Sequence, residues 1–443
     1  MNAQALVQTQ QQGPVLVVSI NNPPVNALGQ GVRAGLLAAV EQLEQDAALK
    51  AMLIVGQGKA FIAGADIREF GKPPMAPALP DVLNRMETGS KLVVAAIHGP
   101  ALGGGLEVAM ATHFRVALAG AKLGLPEVNL GLLPGAGGTQ RSPRLMGVKA
   151  ATELMLSGQH LSAKAALAAG LVDKLAEGDD PLVAGLAYVN ELLARGVPPR
   201  RTRDLAIADK AAALAELDAI ALESVKKTRG LFSPAKIIEC VRAAVELPFE
   251  QGLKRERELF LECLNSPQRQ GLVHAFFAER ETAKIPEAKA AAPRALASIA
   301  VIGGGTMGAG ITVSALDAGL SVVMVERDAE SIARGQKNVE KVYDGLIARG
   351  RMTAEAKAAT MARYTPSTSY DAIKHVDLVI EAVFEDIEVK KAVFKELDRV
   401  CKSGAVLATN TSYLDIDAIA AVTSRPQDVI GLHFFSPANI MKL

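Results

Sequence analysis

Glu107 and Glu127 stand twenty positions apart, in the stretches HGPALGGGLEVAMATHF and LPEVNLGLLPGAGGTQR. Two carboxylates beside a glycine-rich helix start can add water across a polarised double bond, one taking a proton from water and the other delivering one to carbon. Gly103, Gly104 and Gly105 lie between a strand pattern and a helix pattern. There, missing side chains let a ligand approach backbone N–H groups at the positive end of the helix. A second loop, KAFIAGADIREF, follows the strand-like AMLIVG and offers the N–H of Ala65 to the same ligand oxygen. Two such donors suit an enolate-like oxygen, and losing one in comparable sites costs about a hundredfold or more in rate. Taken singly, a glycine triplet reads as close helix packing and a helical glutamate as a solvated surface group.

A second set of residues lies far downstream. ALASIAVIGGGTMGAGIT supplies a strand, then Gly303, Gly305 and Gly308, then a helix start. That spacing suits a tight turn, close approach of a pyrophosphate to backbone, and close helix packing. The next strand, LSVVMVE, ends in Glu326, eighteen residues beyond Gly308. A carboxylate there binds a ribose 2′-OH and repels a 2′-phosphate, which favours NAD over NADP. Arg327 next door leaves accommodation of a 2′-phosphate open.

The elements that must position these groups have an α/β pattern. Residues 14–184 alternate apolar runs with helix-patterned Ala/Leu/Glu stretches, which implies sheets covered by helices. From Gly185 to Ala290 the strand signals fade and long helical segments dominate, giving a helical connector. AKIPEAKAAAPRALA then precedes a fresh α/β pattern from Ser298, and a boundary is expected near Arg294. The domains are therefore expected at 1–190, 191–294 and 295–443.

With 443 residues and 49% hydrophobic content, the chain is large and apolar enough for more than one core. A net charge of +1 leaves no basic surplus to neutralise a nucleic-acid backbone. Three scattered cysteines, Cys240, Cys263 and Cys401, argue for a reducing compartment and against a disulfide framework. No metal cluster is expected. MNAQALVQTQQQGPVLVVS does not read as a secretion signal, and no run of about twenty apolar residues marks a membrane span. A soluble cytoplasmic enzyme is the expectation.

Four motifs in order, NNPPVNAL, FIAGADI, HGPALGGGLE and LPEVNLGLLPGAGGTQR, resemble the crotonase, or enoyl-CoA hydratase/isomerase, superfamily over about residues 14 to 190. The resemblance implies a spiral ββα fold, an acyl-CoA thioester substrate, Ala65 and Gly104 as oxyanion-hole amides, and Glu107 and Glu127 as the acid/base pair. Asp66 looks structural, and NNPPVNAL resembles the segment beside the CoA adenine. Members with both glutamates hydrate, so hydration is implied, with double-bond isomerisation through Glu127 as an accompanying activity. The basic cluster Arg200, Arg201, Arg203 is read as a solvated face and left out of the site.

Residues 297 to 443 resemble the NAD-binding domain of 3-hydroxyacyl-CoA dehydrogenases through EAVFE, NTS and GLHFFSP, which implies a Rossmann-type doubly wound fold. By that resemblance Met307, Glu326, Glu385 and Lys390 border NAD, Ser412 lies between nicotinamide and substrate, and His433 is the base. Tyr413 and Ser436 depart from that family's usual serine and asparagine. Its histidine-orienting glutamate would fall at position 445, beyond Leu443, and its C-terminal helical domain is not in the sequence; low dehydrogenase turnover is the expectation. The order of parts looks like the multifunctional β-oxidation enzymes, in which hydration of trans-2-enoyl-CoA is followed by NAD-dependent oxidation to 3-oxoacyl-CoA, in a bacterial-type cytoplasm or a peroxisome. Two alternatives stand beside this: an isomerase with a vestigial NAD domain, and an inactive NAD-sensing scaffold that recruits a thiolase.

Overall fold

The computed structural model describes residues 5–69, 71–73, 75–282 and 284–441. The first four residues and the last two, on which the expectations about a leader and about the chain end partly rest, lie outside them. The chain forms two compact units, Met1–Ile285 and Pro286–Leu443.

The first unit is built on a six-stranded sheet in the order Val7–Gln12, Val15–Ile20, Ala51–Gly56, Leu92–Ile97, Phe114–Leu118, Lys174–Ala176. Only the first pair is antiparallel. Ala51–Gly56 and Leu92–Ile97 are buried at every position, as expected of parallel strands covered on both faces. A smaller three-stranded sheet, Pro100–Leu102, Lys122–Gly124 and His160–Ser162, stands beside it. Its first strand runs directly from Leu92–Ile97 and delivers the glycine triplet to the start of the helix Gly104–Ala111.

The helices expected to form a separate connector are part of this unit, which corrects the division at 190. Ala213, Leu217, Ile237, Cys240, Val241, Leu259 and Cys263 share one buried core with Leu106, Met110 and Leu133 from around the glutamates. The helix Phe249–Leu264 buries Phe249, Gly252, Glu256, Leu259 and Cys263, a stripe at helical spacing. Gly252 permits the close approach: a Cβ there would stand 2.1 Å from the Gln140 side chain on the helix Gly138–Met146. The chain divides at Ile285/Pro286, nine residues before the expected Arg294.

The second unit is an all-parallel six-stranded sheet. Numbered along this unit, its strands lie in the order 3-2-1-4-5-6: Tyr364–Ser367, Ser321–Val325, Ser298–Ile302, Leu378–Glu381, Val406–Thr409, Val429–Gly431. That is the doubly wound order in which ligands bind beyond the carboxyl ends of the strands, where the order reverses. Separate apolar cores cover its two faces. Among the described residues, no helix is long and apolar enough to cross a membrane.

Candidate active sites

The loop carrying Ala65 and the strand leading to Gly104 are laced together by backbone. Phe61 N–H donates to His98 O (2.9 Å), Ile62 N–H to Pro100 O (3.2 Å) and Leu102 N–H to Ile62 O (3.0 Å). Gly105 is required there, since a Cβ would stand 2.0 Å from Ile62 O. Gly103 adopts φ 52° and donates to Gly124 O, which turns the chain into the helix Gly104–Ala111. The N–H groups of Gly104 and Ala65 have no hydrogen-bond partner among the described residues. At a helix start such orphan donors are the natural site for a developing oxyanion.

Glu107 is buried on the first turn of that helix. Its Oε1 accepts N–H bonds from Ala136 (2.7 Å) and Gly138 (2.8 Å), where the helix Gly138–Met146 begins. Burial raises its pKa, and the two amides and the nearby Arg141 pull it only part of the way back. Glu127, on the 3-10 turn Pro126–Leu130, is arranged differently. Its Oε2 is shielded from solvent and has no partner among the described residues. Burial, and then the charge of Glu107, raise its pKa well above the ordinary carboxylate range. The site thus sets an anchored carboxylate beside a proton-holding one, a division suited to base and acid.

Asp66 has the structural place expected of it: its carboxylate takes the backbone N–H (3.0 Å) and guanidinium (2.6 Å) of Arg68. In NNPPVNAL, Asn26 at φ 56° donates to Gln57 O and Ala60 O, and Asn22 donates to Ala27 O, so both asparagines fasten the loop itself. Arg200 pairs with Asp173 and lies over the Phe114 ring, while Arg203 pairs with Glu250 and lies over Phe249. These arginines staple the helical segment rather than form a solvated face.

A third carboxylate in this site was missed in the sequence. Glu256 is 1% exposed and accepts from Gly137 N–H (2.6 Å), Thr139 N–H (3.1 Å) and Thr139 Oγ1 (2.5 Å). In the run LKRERELF it looks like one of several solvated charges. The signal that could have found it is its place on the apolar stripe of its helix.

In the second unit the expected residues gather at the carboxyl ends of the strands. Gly303 at φ 101° follows Ser298–Ile302, and Gly308 seats the helix Thr306–Asp317 so closely that a Cβ would stand 1.8 Å from Gly303 O. A Cβ on Gly305 would meet nothing within 4 Å. Together with the first-turn amides of that helix, this leaves a backbone cradle of the kind that takes a pyrophosphate. Met307 is half-buried on the same turn. Glu326 holds the turn from beyond Ser321–Val325, its Oε1 accepting Gly304 N–H at 2.7 Å. Arg327 is exposed and turns to Asp328. The residues present therefore fit a dinucleotide.

Glu385 accepts from Thr411 Oγ1 (2.5 Å) and from Ser412 N–H (2.8 Å), which fixes the turn carrying Ser412. Lys390 lies on the helix Ile387–Val400, beside Glu385. It is 1% exposed, and its ammonium is shared between Glu381 (2.8 Å) and Glu385 (3.1 Å). It braces Glu385. Ser412 and His433 are both exposed, with the imidazole tilted against Phe435 at 5.1 Å between centroids. The backbone beside it is pinned by Leu432 N–H to Thr409 O and Phe434 N–H to Asn410 Oδ1, each 2.9 Å. Tyr413 and Ser436, the two departures, are exposed as well.

Comparison with known proteins agrees with both halves. Residues 10–198 match the enoyl-CoA hydratase/isomerase family, and residues 298–443 match the 3-hydroxyacyl-CoA dehydrogenase NAD-binding domain. The chain fuses a crotonase-type hydratase domain to a 3-hydroxyacyl-CoA dehydrogenase NAD domain. The chain is similar to the peroxisomal bifunctional enzyme of Danio rerio, 43% identical over 434 residues that cover 97% of this chain and 60% of that protein. The corresponding figures for the peroxisomal bifunctional enzyme of Homo sapiens are 40% over 445 residues, 98% and 61%. The chain thus spans about three-fifths of the length of these curated relatives. Among solved structures, its NAD domain is similar to 3-hydroxybutyryl-CoA dehydrogenase from Escherichia coli K12, at 43% identity, 34% of this chain, 32% of that one and TM-score 0.33. The other half is similar to Pseudomonas aeruginosa DspI, at 27% identity, 60% of this chain, 98% of that one and TM-score 0.42.

Proposed function

We propose that the first unit hydrates trans-2-enoyl-CoA to 3-hydroxyacyl-CoA, and that the second takes part in oxidising that product to 3-oxoacyl-CoA with NAD. The observation that carries the first half is the contrast within the glutamate pair beside two amides that have no partner among the described residues: Glu107 is anchored by backbone, and Glu127 presents a proton-favouring carboxyl whose Oε2 has no partner among them. Glu107 removes a proton from water as the oxygen bonds to C3. The π electrons move onto the thioester oxygen, which the N–H groups of Ala65 and Gly104 stabilise. Glu127 then delivers its proton to C2. In its ionised form Glu127 can instead take a C2 proton from a 3-enoyl-CoA and return it at C4, which supports isomerisation as an accompanying activity.

In the second unit, bound NAD supplies a hydride acceptor. Gly303, Gly305 and Gly308 would hold its pyrophosphate, and Glu326 would select its ribose 2′-OH. His433 takes the hydroxyl proton of the substrate, and Ser412 stands on the turn that Glu385 fixes. The product of the first reaction is the substrate of the second, a sequence that fits a role in fatty-acid β-oxidation. A thiolase that consumes 3-oxoacyl-CoA is the partner expected, and co-elution of the two proteins tests it. The compartment is proposed to be peroxisomal, as the relatives' names indicate for them, with a bacterial-type cytoplasm as the alternative that imaging of a tagged chain separates.

Hydration of crotonyl-CoA by the 443-residue chain, followed as loss of the conjugated double bond, tests the first half. No hydration of crotonyl-CoA would refute it.

A further inference from the structure

We propose that Glu256 is a positioning residue of the hydration site, reaching in from the helical segment to set the loop that holds Glu107. This deepens the hydratase reading and rests on it. Four successive backbone amides, Ala136 to Thr139, are divided between two carboxylates: those of Ala136 and Gly138 go to Glu107, and those of Gly137 and Thr139 go to Glu256. With one set of alternating amides taken from the side of the helix Phe249–Leu264, the other set is aimed at Glu107. The grip is reinforced by Thr139 Oγ1, which donates to Glu256 while accepting from Gln140 Nε2 (3.0 Å), itself bonded to Cys240 O (3.0 Å). Gly138 completes the fit, because a Cβ there would stand 2.8 Å from Glu107 Oε1. Burying a carboxylate is costly, and here the cost is offset by the three hydrogen bonds with which Glu256 holds this loop.

The second effect is electrostatic. Glu256 faces Glu107, Arg141, Thr139 and the thiol of Cys240, and its charge also raises the proton affinity of Glu127. Its own pKa is pushed up to about 8, by burial first and the charge of Glu107 second, and Arg141, Thr139 and the Gly137 amide pull against this. As Glu256 ionises, it keeps the proton on Glu127 to higher pH.

The test compares the full chain with Glu256→Ala and Glu256→Gln. The alanine variant frees the loop, and its kcat for crotonyl-CoA is expected to fall about ten- to a hundredfold with KM within about twofold, as for a displaced catalytic group. The glutamine variant keeps an acceptor and recovers most of kcat near neutrality, but the alkaline limb of its pH profile moves to lower pH. Infrared spectroscopy gives a readout that needs no turnover. The protonated carboxyl band of Glu127, identified by its loss in Glu127→Gln, should titrate at lower pH in Glu256→Gln than in the parent chain. Parent-like kcat, pH profile and band titration in both variants would overturn the proposal. So would an equal loss at every pH with the Glu127 band unmoved, since that marks packing alone. A parent chain that does not hydrate crotonyl-CoA would overturn the hydratase reading instead, and the infrared shift would still decide whether Glu256 governs the pair.

Discussion

Glu127 and Gly103 are in near contact: the carboxyl Oε1 of Glu127 lies 3.0 Å from the point where a Cβ on Gly103 would stand. The glycine that turns the chain toward the orphan amide of Gly104 is thus also the wall against which the acid is placed. Gly103→Ala strains a backbone at φ 52° and pushes on Glu127 together. The expected outcome is a loss of about tenfold to a hundredfold in kcat for crotonyl-CoA hydration. Steady-state kinetics and a thermal melt on the same sample separate this from unfolding.

Two sets of carboxyl groups, one in each unit, should respond to pH in opposite senses. Glu107, Glu127 and Glu256 have folded pKa values raised above their unfolded ones, so the folded first unit keeps protons that the unfolded chain has lost. Stability from this source is complete below the unfolded carboxylate value and is lost as pH rises through the raised values, Glu256's being about 8. Asp377 behaves conversely. Its carboxylate accepts from Lys402 (2.6 Å), Ala297 N–H (2.8 Å) and Ser298 N–H (2.9 Å), which holds its pKa far below the usual range. That contribution is present above the unfolded value and disappears on acidification. Calorimetry across pH should show the first unit weakening between about pH 5 and pH 8 and the second weakening below about pH 4. Glu256→Gln should flatten the first slope, and Asp377→Asn should flatten the second.

Glu326 is placed to discriminate between cofactors, since it both braces Gly304 and ends the second strand of the NAD domain. Glu326→Ala should weaken NADH binding about tenfold to a hundredfold, as expected for loss of charge-assisted hydrogen bonds, and weaken NADPH binding less. Fluorescence titration of the full chain with both nucleotides reads the ratio. An unchanged NADH to NADPH preference would remove Glu326 from this role.

Much of this was legible in the sequence where chemistry depends on local order. The glycine triplet with Glu107 behind it, and the spacing of Gly303, Gly305 and Gly308 before Glu326, each need only neighbouring residues to be recognised. The α/β class followed from the alternation of apolar runs and helical patterns, and the strand order of the second unit agrees with it. What the sequence did not show depends on long-range packing. Glu256 lies among charges along the chain and meets Gly137 only because Gly252 lets two helices close together. For the same reason, the helical segment looked like a connector although its buried stripe completes the first core. Lys390 sits in an exposed-looking VKKAVF, and only the sheet brings Glu381 and Glu385 to either side of it.

The account turns on Glu107 and Glu127 acting as a base and an acid on one enoyl thioester. The most direct measurement is kcat for crotonyl-CoA hydration by Glu107→Gln and Glu127→Gln in the full chain, with folding checked by calorimetry. A fall of about 10²- to 10⁴-fold in each variant is the predicted result. A correctly folded variant of either kind that hydrates within a few-fold of the parent rate would contradict it.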